Sequence, residues 1–266
     1  MVVQLKSHEN PIIKHVLKLI NSKSFRKREK EFVIEGARLC ENAVMSCVKI
    51  KNFFYTEKAL ERYKSTVELI LKFAEKSYSV SEGIMESISD VKNSQGILCL
   101  CSMLDKQLCL DKISNVDKIV VFESIQDPSN LGTMLRTAEA LGINEIILTQ
   151  DCCDIYNPKV LRGSMGAVFR LLIHITCDLQ ALIHYFNDNE IKTYAAVPDN
   201  NSVIITNVDF NDGPCAVFIG NEGNGLKEKT INLCSKKLTI PMKGRAESLN
   251  AAVATSIIMW ELIRGG

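Results

Sequence analysis

The chain has no apolar run near the roughly 20 residues that a bilayer-spanning helix needs. Its opening stretch, MVVQLKSHENPIIKHV, lacks a basic segment followed by an apolar one, so neither a membrane anchor nor a secretory leader is expected. There are ten cysteines but no CxxC pair: Cys99 and Cys101 stand two apart, and Cys152 and Cys153 are adjacent. The four histidines (His8, His15, His174, His184) are scattered. This spacing supports neither a disulfide framework nor a metal site, and reduced, mostly buried thiols of a cytoplasmic protein are expected. No glycine loop is followed by Gly-Lys-Ser/Thr and no GxGxxG occurs, which argues against a nucleotide-binding metabolic enzyme. Repeats and low-complexity tracts are absent as well.

What is present is ordinary globular material: 266 residues, 46% hydrophobic and 24% charged, enough for one large domain or two smaller ones. The net charge of +1 is unevenly spread. Residues 1–110 hold 18 Lys+Arg against 13 Asp+Glu, and residues 111–266 hold 14 against 18. A mildly basic half beside a mildly acidic one fits a nucleic-acid docking module next to a module of another kind. In the basic half, helical spacing over Asn10–Ile20 is followed by Lys23-Ser-Phe-Arg-Lys-Arg-Glu-Lys30. A short strand Glu31–Gly36, a helix Ala37–Val48, a strand Lys51–Thr56, a helix Glu57–Leu71 and a strand Gly96–Cys101 complete a small α/β domain. The expected division is a substrate-binding domain over 1–104, a linker over 105–116 and a second domain over 117–266.

The second half alternates more clearly. Strand Lys118–Phe122, helix Leu131–Leu141 and strand Glu145–Thr149 form a β–α–β unit, with Asn130 a candidate cap and Gly142 a candidate stop. Further strands are predicted at Leu171–Ile175, Thr193–Val197, Ala216–Ile219 and Lys237–Ile240, and a long helix at Leu249–Ile263. Together they predict an α/β fold around a mostly parallel sheet. Such sheets bind ligands at the carboxyl ends of their strands. Three loops sit there: Glu123–Asn130, leading into the helix that carries Arg136; Ile219–Leu226, with glycines at 220, 223 and 225; and Ile240–Asn250. Glycines in the second let backbone amides approach a ligand closely.

Taken in order, Asn130-Leu-Gly-Thr-Met-Leu-Arg-Thr-Ala-Glu-Ala-Leu-Gly142, Gly220-Asn-Glu-Gly-Asn-Gly-Leu226 and Ile240-Pro-Met…Glu-Ser-Leu-Asn-Ala-Ala-Val-Ala254 resemble the three motifs of the SpoU/TrmH family of ribose 2′-O-methyltransferases, within the SPOUT superfamily. The stretch Val160–Phe169 resembles the family segment between the first two motifs. The basic stretch with Phe-Val-Ile-Glu-Gly36 is similar to the small substrate-binding domain of ribosomal-RNA members, itself like a ribosomal protein of the L30 type.

The resemblance implies a trefoil knot in the C-terminal sheet, a rare exception to ordinary chain threading. It also implies S-adenosylmethionine as methyl donor, an RNA partner, and a homodimer with the final helix in its interface. No metal and no membrane partner are implied. Cofactor contact is carried over to Gly220, Ile240 and Leu249, with Asn221, Gly225 and Met242 beside them. Catalytic positions are Arg136, Asn130, Glu222, Ser248 and Asn250. A guanidinium holds its proton too tightly to serve easily as a base. Arg136 is therefore expected to grip the phosphate beside the target bidentately and to stabilise the developing oxyanion. Asn130 would orient that arginine or the ribose, or cap its helix. Glu222 would accept hydrogen bonds from loop amides or from Arg136. Ser248 and Asn250 would contact the nucleotide or hold the loop, and Ser248 is a second candidate cap for the last helix. Lys23, Arg26, Lys27 and Arg28 are candidate phosphate contacts and Phe25 a candidate stacking partner for a base. Ribosomal RNA is the expected substrate. Transfer RNA, or a non-catalytic RNA-binding or ribosome-assembly role, are the alternatives.

Overall fold

The computed structural model describes residues 2–104, 113, 117–199, 201–246 and 248–264. The expected linker, 105–116, lies outside the described residues apart from Ile113. The chain divides into two compact units, residues 1–105 with 154–169, and residues 106–153 with 170–266.

The first unit runs β1 (Val2–Leu5), α1 (Pro11–Asn21), α2 (Lys23–Glu29), β2 (Glu31–Glu35), α3 (Ala37–Met45), β3 (Ile50–Tyr55), α4 (Glu57–Arg62), α5 (Lys64–Phe73), β4 (Lys76–Val80), α6 (Glu82–Ser87) and β5 (Ile97–Ser102). Its five-stranded sheet has the order β1-β4-β3-β5-β2, with β5 antiparallel to both neighbours and the other pairs parallel. Helix α1 starts where Asn10 accepts from the Ile12 amide and Pro11 sets the first helical φ. Its Ile13, Val16 and Leu19, at helical spacing, are buried against Val33, Phe54, Leu98 and Leu100 of the sheet. Each such side chain contributes about 1.5–3 kcal/mol, so Val16→Asp would detach this face. The basic stretch forms a helix of its own, α2, capped by the Ser22 hydroxyl and closed by Lys30 in a left-handed conformation. The helix expected over 57–71 is two, broken at Tyr63.

In the second unit come β6 (Lys118–Phe122), α7 (Pro128–Ala140) and β7 (Glu145–Thr149). The chain then forms α8 (Pro158–Gly163) and α9 (Ala167–Arg170), and residues 154–169 group with the first unit rather than the second. Phe32 of β2 draws this segment in, with ring centroids 4.6 Å from Tyr156 and 6.2 Å from Phe169. The contacts therefore group this stretch of the expected 117–266 domain with the first unit. The second unit continues through β8 (Leu172–Thr176), α10 (Leu179–Asp188), β9 (Lys192–Ala196), β10 (Val203–Ile204), β11 (Cys215–Ile219), α11 (Glu228–Leu233), β12 (Lys236–Thr239) and α12 (Ala251–Ile263).

Its seven strands take the order β10-β12-β9-β11-β6-β7-β8, and each pairing among the described residues is parallel. Strands β7 and β11 are buried throughout, as is β6 apart from Lys118, which suits a sheet covered on both faces. Because β6 lies beside β11, the loops that follow them leave the sheet at neighbouring positions on one edge.

Both expected caps are corrected. Helix α7 is capped by Asp127, whose carboxylate accepts from the amides of Ser129 (2.6 Å) and Asn130 (3.2 Å). Asn130 thus lies inside the first turn with its side chain released for other work. Helix α12 is capped by Asn250, which accepts from Ala252 (2.9 Å) and Val253 (3.3 Å), and not by Ser248. One face of α12 is buried through Ala252, Ile258, Met259 and Leu262, while Val253 and Trp260 stand exposed on the other.

Candidate active site

The glycine loop starts where β11 ends. A Cβ on Gly220 would lie 2.1 Å from the Gly225 carbonyl carbon and the Leu226 nitrogen, so this position admits hydrogen only. Asn221 and Gly225 then exchange both backbone hydrogen bonds (3.0 and 2.9 Å), and Gly225 takes φ +67 to close the turn. The Asn221 side chain accepts from the amides of Gly223 and Asn224, and its Nδ2 donates to the Ser124 carbonyl at 2.8 Å. The glycine loop is thereby fastened to the loop after β6.

Glu222 makes the next link. Its carboxylate accepts from the amides of Gln126 and Asp127, both at 3.1 Å, and from Asn130 Nδ2 at 3.2 Å. Asn250 Nδ2 in turn donates to Asn130 Oδ1 at 3.2 Å. Three of the expected catalytic side chains, from three separate segments, thus form one hydrogen-bonded chain. Partial burial pushes the Glu222 carboxyl up, but the hydrogen bonds it accepts outweigh this and hold it below the usual carboxylate range. It is therefore an anion that orders amides, and Arg136 is not among its partners.

Arg136 stands exposed on α7, and among the described residues its guanidinium has no hydrogen-bond or ion-pair partner. Ser248 is likewise exposed, without a hydrogen-bond partner among the described residues.

Next to this chain of side chains lies a cavity of about 430 Å³. Its walls include Gly220 to Leu226, Ile240, Met242, Ser248 and Leu249, with Ala254 and Ile258 of α12. All six positions expected to contact the cofactor line it. The walls are largely apolar with a few polar groups along the glycine loop, the usual make-up of a small-molecule site. Its donor set fits a ligand with an apolar body and a polar rim, such as S-adenosylmethionine. No cluster of His, Cys, Asp or Glu able to hold a metal occurs among the described residues.

Several residues that hold these loops carry no sequence signal of the resemblance. Glu123 is buried at the end of β6; its two oxygens accept from the Lys227 amide and the Thr230 hydroxyl, both at 3.0 Å. Asp151, past the end of β7, accepts from Ser124 Oγ at 2.5 Å, from the Thr149 hydroxyl and from Lys227 Nζ at 3.1 Å. What burial it has pushes its carboxyl up, yet these three donors bring it down to about 2. A carboxylate directly after an apolar strand, as at Glu123, is the signal that would have found the first of them.

The expected RNA contacts fare unequally. Arg26 is corrected: it is 3% exposed, its Nε donates to Asp154 Oδ2 at 2.8 Å and its Nη1 to the carbonyls of Leu19 (2.5 Å) and Ile20 (3.0 Å). Its charge is spent inside the first unit. Phe25 is half-buried against the apolar cluster of α1, meets His15 edge-on at 5.2 Å, and has the Arg28 guanidinium 4.7 Å from its centroid. Its ring is already a packing element and not a free platform. Lys23, Lys27 and Arg28 are exposed.

A parallel α/β sheet with a glycine-loop cavity and a linked Asn–Glu–Asn set at its strand ends is the arrangement in which the three resembling segments come together. The chain belongs to the SpoU rRNA methylase family, whose model matches residues 117–260. A model described as an MRM3-like substrate binding domain matches residues 10–99. The chain is 30% identical to an uncharacterised tRNA/rRNA methyltransferase of Synechocystis, over 99% of this chain and 94% of that one. It is 29% identical to the 23S rRNA (guanosine(2553)-2′-O)-methyltransferase RlmP of Bacillus subtilis, over 97% and 98%. An AdoMet-bound rRNA methyltransferase from Sinorhizobium meliloti superposes with a TM-score of 0.86 at 26% identity, over 99% and 98%. The resemblance read from the three segments is borne out, and the chain is an S-adenosylmethionine-dependent RNA methyltransferase.

Proposed function

We propose that this chain transfers a methyl group from S-adenosylmethionine to the 2′-hydroxyl of a ribose in ribosomal RNA. The observation that carries this reading is the Asn250–Asn130–Glu222 chain beside the 430 Å³ cavity. The main-chain groups of Gly220, Ile240 and Leu249 hold the donor, with Asn221, Gly225 and Met242 around it. When bound, S-adenosylmethionine supplies an electrophilic methyl on a sulfonium sulfur. The protein's part is to position the attacking oxygen and exclude water, and positioning alone lowers such a barrier by roughly 7–11 kcal/mol. Arg136, with no partner among the described residues, grips the phosphate next to the target ribose and stabilises the developing oxyanion. Asn130, held at both ends of its amide by Glu222 and Asn250, orients the ribose. Ser248 contacts the nucleotide from the third loop, and Lys23, Lys27 and Arg28 meet phosphates further along the RNA.

The reading extends to architecture and setting. The glycine loop and the β12–α12 connection form a trefoil knot around the donor, and the first unit has an L30-like fold. Two copies pair through α12, whose exposed Val253 and Trp260 suit an apolar contact. The protein works in the cytoplasm, and its substrate is ribosomal RNA, the substrate class that the name of its Bacillus subtilis relative gives for that protein. The test is to incubate the protein with ribosomal and transfer RNA and a labelled donor, then map the methylated positions. Labelled 2′-O-methyl ribose in ribosomal RNA is the expected result. Methyl on a base would overturn the ribose assignment, transfer confined to transfer RNA would move the substrate, and donor binding without transfer would favour a binding role.

A further inference from the structure

The first unit contains a second cavity, of about 320 Å³, that the methyl-transfer reading does not use. It is lined by Gly36, Arg38, Asn42, Gln95, Arg162 and Met165, among others, all within one unit. Two of these come from the 154–169 segment, which leaves the middle of the methyltransferase sequence to complete this wall. The segment is joined to the wall by specific bonds: Asn42 Nδ2 donates to the Met165 carbonyl at 3.2 Å, and Arg162 Nη1 to Asp90 Oδ2 at 2.8 Å.

The groups facing the cavity differ in what they have left to offer. Glu35 already accepts from Ser89 Oγ (2.5 Å), the Asp90 amide (3.0 Å) and Ser94 Oγ (2.8 Å). Arg162 is committed to Asp90. Arg38 is exposed and has no ion-pair or hydrogen-bond partner among the described residues. Gln95 spends its Oε1 on the Ala37 amide at 2.8 Å, which leaves its Nε2 as a donor. Asn42 spends its Nδ2 on Met165, which leaves its Oδ1 as an acceptor. Met165, not a glycine, takes φ +51, a disfavoured conformation that its surroundings must hold, while Gly36 takes φ +100, which glycine adopts readily. One free guanidinium, one free amide donor and one free amide acceptor around a space at the lower end of ligand-site volumes match a single nucleotide. A phosphate suits the fork of Arg38, and a base edge offers a donor and an acceptor to the two amides.

We propose that this cavity receives one unpaired nucleotide of the RNA, its phosphate held by Arg38 and its base edge read by Gln95 and Asn42. This rests on the reading that the protein acts on RNA, and it adds a recognition point separate from the methylated ribose. A base can enter only when splayed out of a helix, so the site would select a loop or bulge.

The test measures binding of ribosomal RNA at graded salt, separately from turnover, for the full chain and for Arg38→Gln, Arg38→Lys, Asn42→Ala and Arg62→Gln. Arg62 is an exposed arginine of the same unit away from the cavity and serves as control. Arg38→Gln should weaken RNA binding on the order of tenfold. It should flatten the plot of log affinity against log salt by about 0.7, the signature of one lost phosphate contact on single-stranded RNA. KM for RNA should rise with kcat, donor affinity and melting temperature unchanged. Arg38→Lys should restore the salt slope, and Asn42→Ala should weaken binding without altering that slope. RNA carrying 4-thiouridine should crosslink to residues 36–42 or 162–165. Wild-type affinity, slope and KM in Arg38→Gln, or crosslinks confined to other segments, would overturn the proposal while leaving the methyltransferase reading intact. A wild-type chain that binds the donor and no RNA would overturn both.

Discussion

Arg26 in the first unit and Arg136 in the second make an instructive pair. Each is an arginine on a helix, and in the sequence each marked a candidate for RNA. The structure buries Arg26 and surrounds it with a carboxylate and two carbonyls, while Arg136 stands exposed with no partner among the described residues. The contrast extends to the neighbourhoods. Around the start of β2, Glu31 is paired with Lys51 and His15, and burial of its carboxyl is outweighed by those two partners. At the strand ends of the second unit, Glu222 and Asn250 are tied up so that Arg136 and Ser248 are left over. A group whose bonds are all made within the protein holds the fold. One left unmade is available to a substrate, and of these two Ser248 lines the cavity.

The largest expected effect tests the buried arginine. Arg26→Ala leaves Asp154 inside the first unit without a counter-charge, and breaking a buried pair in this way costs about 3–5 kcal/mol. Denaturant unfolding should show that loss, while donor affinity, measured on the folded fraction, stays the same; a stable Arg26→Ala protein would erase the contrast. Arg136→Ala should do the reverse. Methyl transfer should fall by about 10²–10³-fold, the size of one lost oxyanion contact, with an unchanged melting curve. Arg136→Lys sharpens this, because near-normal turnover would show that charge alone suffices and would rule out the bidentate grip. Gly220→Ala comes next: the added methyl must push the Gly225–Leu226 backbone aside, so donor affinity measured by calorimetry should drop by about tenfold or more, equivalent to at least about 1.4 kcal/mol.

The smallest effect is a matter of pH. The Asp151 carboxyl is held at about 2, below the free value of about 3.9. A lowered pKa stabilises the fold above the free value and ceases to do so as the acid form takes over. The stabilisation from Asp151 should thus be complete above about pH 4 and fade toward pH 2. Asp151→Asn should flatten that part of the acid-unfolding profile and change nothing between pH 6 and 8.

Much of the second unit was legible because its strands are apolar runs, and β6, β7 and β11 need burial on both faces to be stable. The first unit hid more. Strands β1 and β4 are short, and β1 lies at the edge of the sheet with three of its four residues exposed, so neither carries the alternation that marks a strand. The candidate caps were misplaced by three and two residues, since Asp127, Asn130, Ser248 and Asn250 are all good capping types. Pro128, favoured at the first helical position, is the sequence cue that selects Asp127. Glu222 and Asn250 were legible as site residues only through their motifs, and their bonding to Asn130 joins segments up to 120 positions apart. The burial of Arg26 was invisible for the same reason: its partner lies 128 residues along the chain, and a local count of charge cannot see it.

That separation has a consequence for how the protein comes to be made. When the ribosome has released residue 105, the nascent first unit holds Arg26 but not Asp154, and Phe32 but neither Tyr156 nor Phe169. Its last layer arrives only after β6, α7 and β7 have been synthesised. The order of synthesis and the order of completion therefore disagree. A fragment cut at the expected boundary would lack the partners that residues 154–169 bring to Arg26 and Phe32.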